Sequence, residues 1–143
     1  MRIRATLPIL AALLLLDGCG AVGTTPEARA PTPQGVAMQH MLADIDQIRG
    51  FLYGSGSQGD ATHAATDLVS WAKQMPVLFP PELASQQYVD MSPERARAAT
   101  AAMNTNAQLL LAAVQTGDHA AIGDRLAQTE RNGCGACHLS GTQ

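Results

Sequence analysis

Apolar residues recur at steps of three and four along four separate stretches of this chain, and they alternate nowhere over a useful length. That period marks one face of an α-helix, so the expected fold class is all-α. The first stretch starts at about Gln34, carries Met38, Met41, Leu42, Ile45, Ile48 and Leu52, and stops at Gly54-Ser55-Gly56-Ser57. The second is expected to begin after Asp60 as its N-cap, with Ala64, Leu68, Trp71 and Met75 on one stripe and Pro76 closing it. Phe79-Pro80-Pro81 then begins an irregular connection running from Pro76 to Met91. Ser92-Pro93-Glu94 supplies a cap, a proline at the first helical position and an acid in the first turn. The third helix follows through Ala96, Ala99, Met103, Leu110 and Val114 to Gly117. Asp118 caps the fourth, whose stripe of Ile122, Leu126 and Thr129 continues to Gly133 and Cys137. Two short links and one longer one fit an antiparallel four-helix bundle.

The core of such a bundle is thin. Trp71, Tyr53, Tyr88, Phe51 and Phe79 are the only aromatic residues in 143, and alanine is abundant. Some other body is expected to supply the missing bulk. The charge balance, 9 Lys+Arg against 12 Asp+Glu, offers no basic surface, so no nucleic-acid partner is expected.

The N-terminus reads as an address. Arg2 and Arg4 precede the apolar run Leu7 to Leu16. Ten helical residues span about 15 Å, half a bilayer, which fits a secretory signal and not a membrane-spanning helix. The run ends Leu16-Asp17-Gly18-Cys19. This resembles a bacterial lipobox, from which it departs at Asp17. Residues 1–18 are therefore expected to be a signal peptide, and Cys19 the site of an N-terminal lipid anchor. Residues 19–33, small, polar and rich in proline, are expected to be a flexible tether. The domain is then 34–143, in the periplasm and held to the membrane only through Cys19.

Near the other end stands Cys134-Gly135-Ala136-Cys137-His138. C-x-x-C-H is the attachment pattern of haem c. Two thiols three positions apart can each add to one vinyl group of a porphyrin, and the adjacent histidine supplies an iron ligand. Composition alone would produce the pattern about 0.002 times in a chain of this length. A redox disulfide pair would need a βαβ setting, and zinc would need a second ligand pair; neither is present in the sequence. The expected cofactor is one haem c per chain, bound by Cys134 and Cys137 with His138 as proximal ligand.

The motif at the C-terminal end, a candidate iron ligand on the first helix, the segment Ala72-Lys73-Gln74-Met75-Pro76-Val77-Leu78-Phe79-Pro80 and the Ser92-Pro93 helix start together resemble the class II cytochromes c, the cytochrome c-prime family. The resemblance covers about Gln34 to His138. It departs in the tail after His138, which lacks the family's aromatic and basic residues. The Gly133/Gly135 pair is a second departure, expected to loosen the helix where haem attaches. The resemblance implies a distal residue on the first helix about four turns before its closing glycine. Counting back from Gly54 gives Met38, with Met41 and His40 as alternatives. Met38 lies on the apolar stripe, and His40, two residues on, points about 200° away.

No Ser/His/Asp set, phosphate loop or carboxylate pair suggests catalysis, so an electron carrier is expected and not an enzyme. Its iron would be held by His138 and Met38, as in a low-spin Met–His subgroup. The alternative is a five-coordinate protein binding nitric oxide or carbon monoxide. The expected partners are redox proteins, among them a membrane oxidoreductase, and a second copy of the chain in a homodimer. Gln34 and Arg125 are candidates to reach a haem propionate, and Trp71 to pack on the porphyrin edge. His63 and His119, near helix starts, are expected at the surface.

Overall fold

The computed structural model describes residues 31–82 and 91–138. The expected signal peptide, Cys19, most of the expected tether, residues 83–90 with Tyr88, and the tail after His138 lie outside them.

Four helices are built by the caps the sequence supplies. Helix α1, Pro33–Leu52, starts at Thr32, whose side chain accepts from the Gly35 N–H, with Pro33 in the first turn. Helix α2, Gln58–Leu78, starts three residues earlier than expected, because Ser57 and not Asp60 is its N-cap. Ser57 Oγ accepts from the Asp60 N–H at 3.1 Å and donates to Asp60 Oδ2 at 2.6 Å. The Ser57 hydroxyl thus caps one backbone N–H, and the Asp60 carboxylate accepts its hydrogen bond and fixes its orientation. Pro76 does not close α2. It sits inside the last turn, where its missing N–H removes one bond, and the ladder resumes with Phe79 N–H donating to the Met75 carbonyl at 2.7 Å.

Helix α3, Pro93–Thr116, begins at Ser92 as expected and ends at Gly117, which has φ 73°. A side chain there would be strained, and its Cβ would lie 3.2 Å from Gln58 Nε2. That amide donates to the carbonyls of Val114 and Gln115, so the start of α2 caps the end of α3. Helix α4, His119–Gln128, follows at once, with Asp118 accepting from the N–H groups of Ala120 and Ala121. The helix then continues as a π-helical segment, Thr129–Cys134, and a last α-helical turn, α5, Gly135–His138.

The described chain is all-helical, with four main helices as in a four-helix bundle, and no described helix is long and apolar enough to cross a membrane. Its core has two parts. Ile48, Leu110, Val114 and Ile122 are fully buried near the α1–α2 and α3–α4 turns. Each such side chain contributes about 1.5–3 kcal/mol by leaving water. Elsewhere the buried positions are largely alanine, such as Ala61, Ala65, Ala72, Ala99 and Ala107, which let helices approach closely but fill little space.

One polar group is enclosed at the α1–α2 seam. Burial, and then the nearby Asp67 carboxylate, push the Asp44 carboxyl from its ordinary 3.8 up to about 6, against the opposite pull of His40 and His63. The folded state therefore holds this proton more tightly than the unfolded chain does. Its stabilisation is complete below about pH 4 and is lost as pH rises through about 6. Asp44→Asn, neutral at every pH, should raise the thermal midpoint at pH 7.5 and leave it unchanged at pH 4. The expected gain is about 1 kcal/mol, because Asp44 is only half-buried and water screens it. Melting curves at both pH values check this.

Candidate functional site

The two-residue link between α3 and α4, Gly117-Asp118, sends the chain back along α3. Twenty residues later it presents Cys134, Cys137 and His138 beside the first half of that helix. The contact that seats them is close. A Cβ on Gly133 would lie 2.5 Å from Met103 Sδ and 3.4 Å from Met103 Cα, so a side chain here would have to displace the Met103 thioether. The expectation that Gly133 loosens the helix is thus replaced by a packing role. The loosening takes another form: the ladder widens to π spacing over Thr129–Cys134. Such bulges are frequent at functional sites. The expected stripe survives it, since Thr129 and Gly133 are buried.

Cys134, Cys137 and His138 form one wall of an apolar cavity of about 230 Å³ at this end of the bundle. Helix α1 contributes Met38, Met41, Leu42 and Ile45, and the end of α2 contributes Met75 and Phe79. The start of α3 and the residue before its cap contribute Met91, Ala96, Thr100 and Met103. Every methionine after Met1 lines this space. Met75 and Met103 had been legible only as helix-stripe residues, and Met91 as the end of a connection. The signal available in the sequence was the concentration of methionine, a residue that adapts to irregular apolar surfaces. The Thr100 hydroxyl donates to the Arg97 carbonyl at 3.0 Å, within its own helix.

Of the three candidates for the distal side, Met38 and Met41 line the cavity and His40 does not. His40 stacks on Trp71 at the α1–α2 seam, with ring centroids 5.1 Å apart and planes 13° from parallel. Trp71 is accordingly a seam residue and is absent from the cavity wall. Gln34 donates to the Leu78 carbonyl at 3.0 Å and Arg125 to Gln128 Oε1 at 2.9 Å, so each has a partner other than a propionate. His63 and His119 are exposed, as expected. His63 pairs with Asp67, and His119 meets the Leu52 carbonyl and the Phe51 ring.

Burial pushes both thiols above their ordinary pKa. The Glu130 carboxylate adds to the shift at Cys134, while the Arg95 guanidinium opposes it at Cys137. Glu130 is held from across the bundle by Arg49, Nη2 to Oε1 at 2.5 Å, and Arg49 also pairs with Asp46. This pair ties the end of α1 to the segment that carries the motif. Among the described residues no group of three or more His, Cys, Asp or Glu is placed to hold a bare metal ion, which leaves zinc without a ligand set there. A large apolar cavity with two thiols and an imidazole on one wall and thioethers opposite fits a porphyrin iron in donor chemistry and in polarity.

A helical bundle with C-x-x-C-H at its C-terminal end, set against an apolar cavity, describes a c-type cytochrome. The family model described as Cytochrome C' matches residues 34–140, and the chain belongs to that family. Haem c, bound covalently in this family, is its cofactor. No curated protein and no solved structure matches the chain.

The Gly133–Met103 contact is open to test. Gly133→Ala should destabilise the domain by about 1–3 kcal/mol, the usual penalty of overpacking. Adding Met103→Ala should recover part of that loss by making room for the new methyl group. Denaturant unfolding of the single and double variants checks the coupling.

Proposed function

We propose that this chain is a monohaem electron carrier whose iron is held by His138 on one side and Met38 on the other, with Cys134 and Cys137 as the thioether anchors. The observation that carries the reading is the position of the Met38 thioether on the wall of the cavity that also receives the C-x-x-C-H motif. Haem c, when bound, supplies one-electron iron chemistry. The two cysteines and His138 fix its place. Met38 offers a soft ligand suited to ferrous iron. The aliphatic and methionine walls exclude water. Its partners are one-electron donors and acceptors, including a membrane oxidoreductase. It works in the periplasm, anchored through a lipid on Cys19.

A second reading has its own support. The family is known for binding nitric oxide and carbon monoxide, and an apolar cavity suits such ligands on a five-coordinate iron.

Optical spectra separate the two. With Met38 as ligand, the oxidised protein is low-spin and shows the far-red sulfur-to-iron band. Met38→Ala should then give high-spin, five-coordinate iron that binds carbon monoxide readily, with a lower reduction potential. Met41 lies about 4.5 Å along the helix axis, a shift that a packed bundle resists. A wild-type protein already high-spin and quick to bind carbon monoxide would establish the gas-binding reading instead. A silent Met38→Ala beside an altered Met41→Ala would move the ligand by one turn.

The anchor is tested by fractionation. Cys19→Ser should release the domain from the membrane fraction or block its processing. A wild-type protein that is soluble with Cys19 unmodified would trace to Asp17 in the lipobox.

A further inference from the structure

Outside the cavity, the seam between α1 and α2 gathers two His–Asp pairs, each spaced four residues apart: His40 and Asp44 on α1, His63 and Asp67 on α2. That spacing puts the members of each pair on one helix face. His63 Nδ1 lies 3.3 Å from Asp67 Oδ2, and Trp71, one turn further, stacks on His40. Within this group, Asp44 Oδ2 is shut off from solvent and has no hydrogen-bond partner among the described residues. The titratable groups acting on it are His40 from its own helix and His63 and Asp67 from α2. A carboxylate oxygen enclosed without a donor, and facing a second carboxylate, is a place that favours an added proton. Burial, and then the Asp67 carboxylate, push the carboxyl up to about 6 for that reason.

The position along α1 matters as much as the surroundings. Asp44 stands between Met41 and Ile45, both in the cavity wall. It is turned from their stripe by roughly a third of a helical turn, so no more than the width of one helix, about 10 Å, separates it from the cavity. The space between is occupied by helix and apolar side chains.

We propose that Asp44 is a proton site coupled to the haem, taking a proton from the solvent when the iron gains an electron and returning it when the iron is oxidised. The proposal rests on haem occupying the cavity and not on which residue is the sixth ligand. For each electron delivered by a one-electron donor, at most one O–H bond forms at the Asp44 carboxylate and one O–H bond of a hydronium ion in the solvent breaks, leaving water. The added electron makes the cavity more negative by one charge, which favours the neutral carboxyl nearby. At separations on the order of 10–15 Å, with screening between that of water and dry protein, one charge changes a proton affinity by about threefold. Threefold corresponds to about 28 mV at 59 mV per tenfold change.

The test is a spectroelectrochemical titration of the haem-bearing protein from pH 4.5 to 8, for wild type, Asp44→Asn and Asp67→Asn. The wild-type midpoint potential should fall by about 28 mV across a window around pH 6. Asp44→Asn should keep the low-pH potential throughout. Asp67→Asn should retain the step at lower pH, because the carboxylate that favours the Asp44 proton is gone. Redox-difference infrared spectra of wild type near pH 6 should gain a protonated-carboxyl band on reduction, and Asp44→Asn should lack it. If Asp44→Asn fails to mature, the Asp67→Asn displacement and the wild-type band decide. A wild-type potential that ignores pH, or a step unchanged in Asp44→Asn and in Asp67→Asn, overturns the proposal. A protein without covalent-haem absorption overturns the cofactor assignment beneath it, a result distinguishable from haem that ignores pH.

Discussion

A bundle cored by alanine leaves one end that its own side chains do not fill, and the rest of the structure is arranged around that shortage. At the turn end, branched aliphatic residues such as Ile48, Leu110, Val114 and Ile122 close the interior. Toward the other end, alanine and methionine take over, and a cavity of about 230 Å³ remains. Methionine suits such a wall because it has no branched shape to keep. The domain thus divides between a part stabilised by burial of its own residues and a part whose burial is completed by the haem its family binds.

The segment that closes the cavity is held by two contacts of different kinds. One is steric, the approach of Gly133 to Met103, where a side chain at residue 133 would have to displace the Met103 thioether. The other is ionic, Arg49 to Glu130, and both partners are partly exposed, so water and salt weaken it. The steric contact sets the distance between the motif and α3. The ionic one ties the same segment to α1, the helix that carries Met38 and Met41. Both walls of the cavity are therefore referenced to one another through Thr129–Cys134.

Much of this was legible in the residues. Helix periodicity, Ser92-Pro93-Glu94, Gly117-Asp118 and the C-x-x-C-H motif identify the four helices and the chemistry at their end. The opposed directions of Met38 and His40 follow from helix geometry alone. The structure departs from the residue pattern where two local signals compete. Asp60 is a good cap, but Ser57 three residues earlier is another, and Asp60 is drawn into orienting its hydroxyl. Pro76 lacks a donor, yet this near a helix end the loss is a single bond. The π segment and the enclosed oxygen of Asp44 were not legible. The first is a choice of hydrogen-bond partner that apolar spacing does not encode. The second depends on α2 residues some twenty positions away, brought alongside only by the packing of the two helices.

The widened ladder over Thr129–Cys134 has a consequence for how this stretch can change length. A π turn accommodates a residue beyond what the α-helix would hold in the same rise. Deleting one residue there would let the ladder relax to ordinary α spacing with the turn after it left in register, whereas deleting one from the regular α-helix of α4 would rotate everything after it by about 100°. Cys134, Cys137 and His138 would leave the cavity wall together, although none of them had been altered. The segment acts as an index mark for the chain's last turn. One residue fewer in the π segment keeps the direction of that turn, and one fewer in the α-helix before it does not.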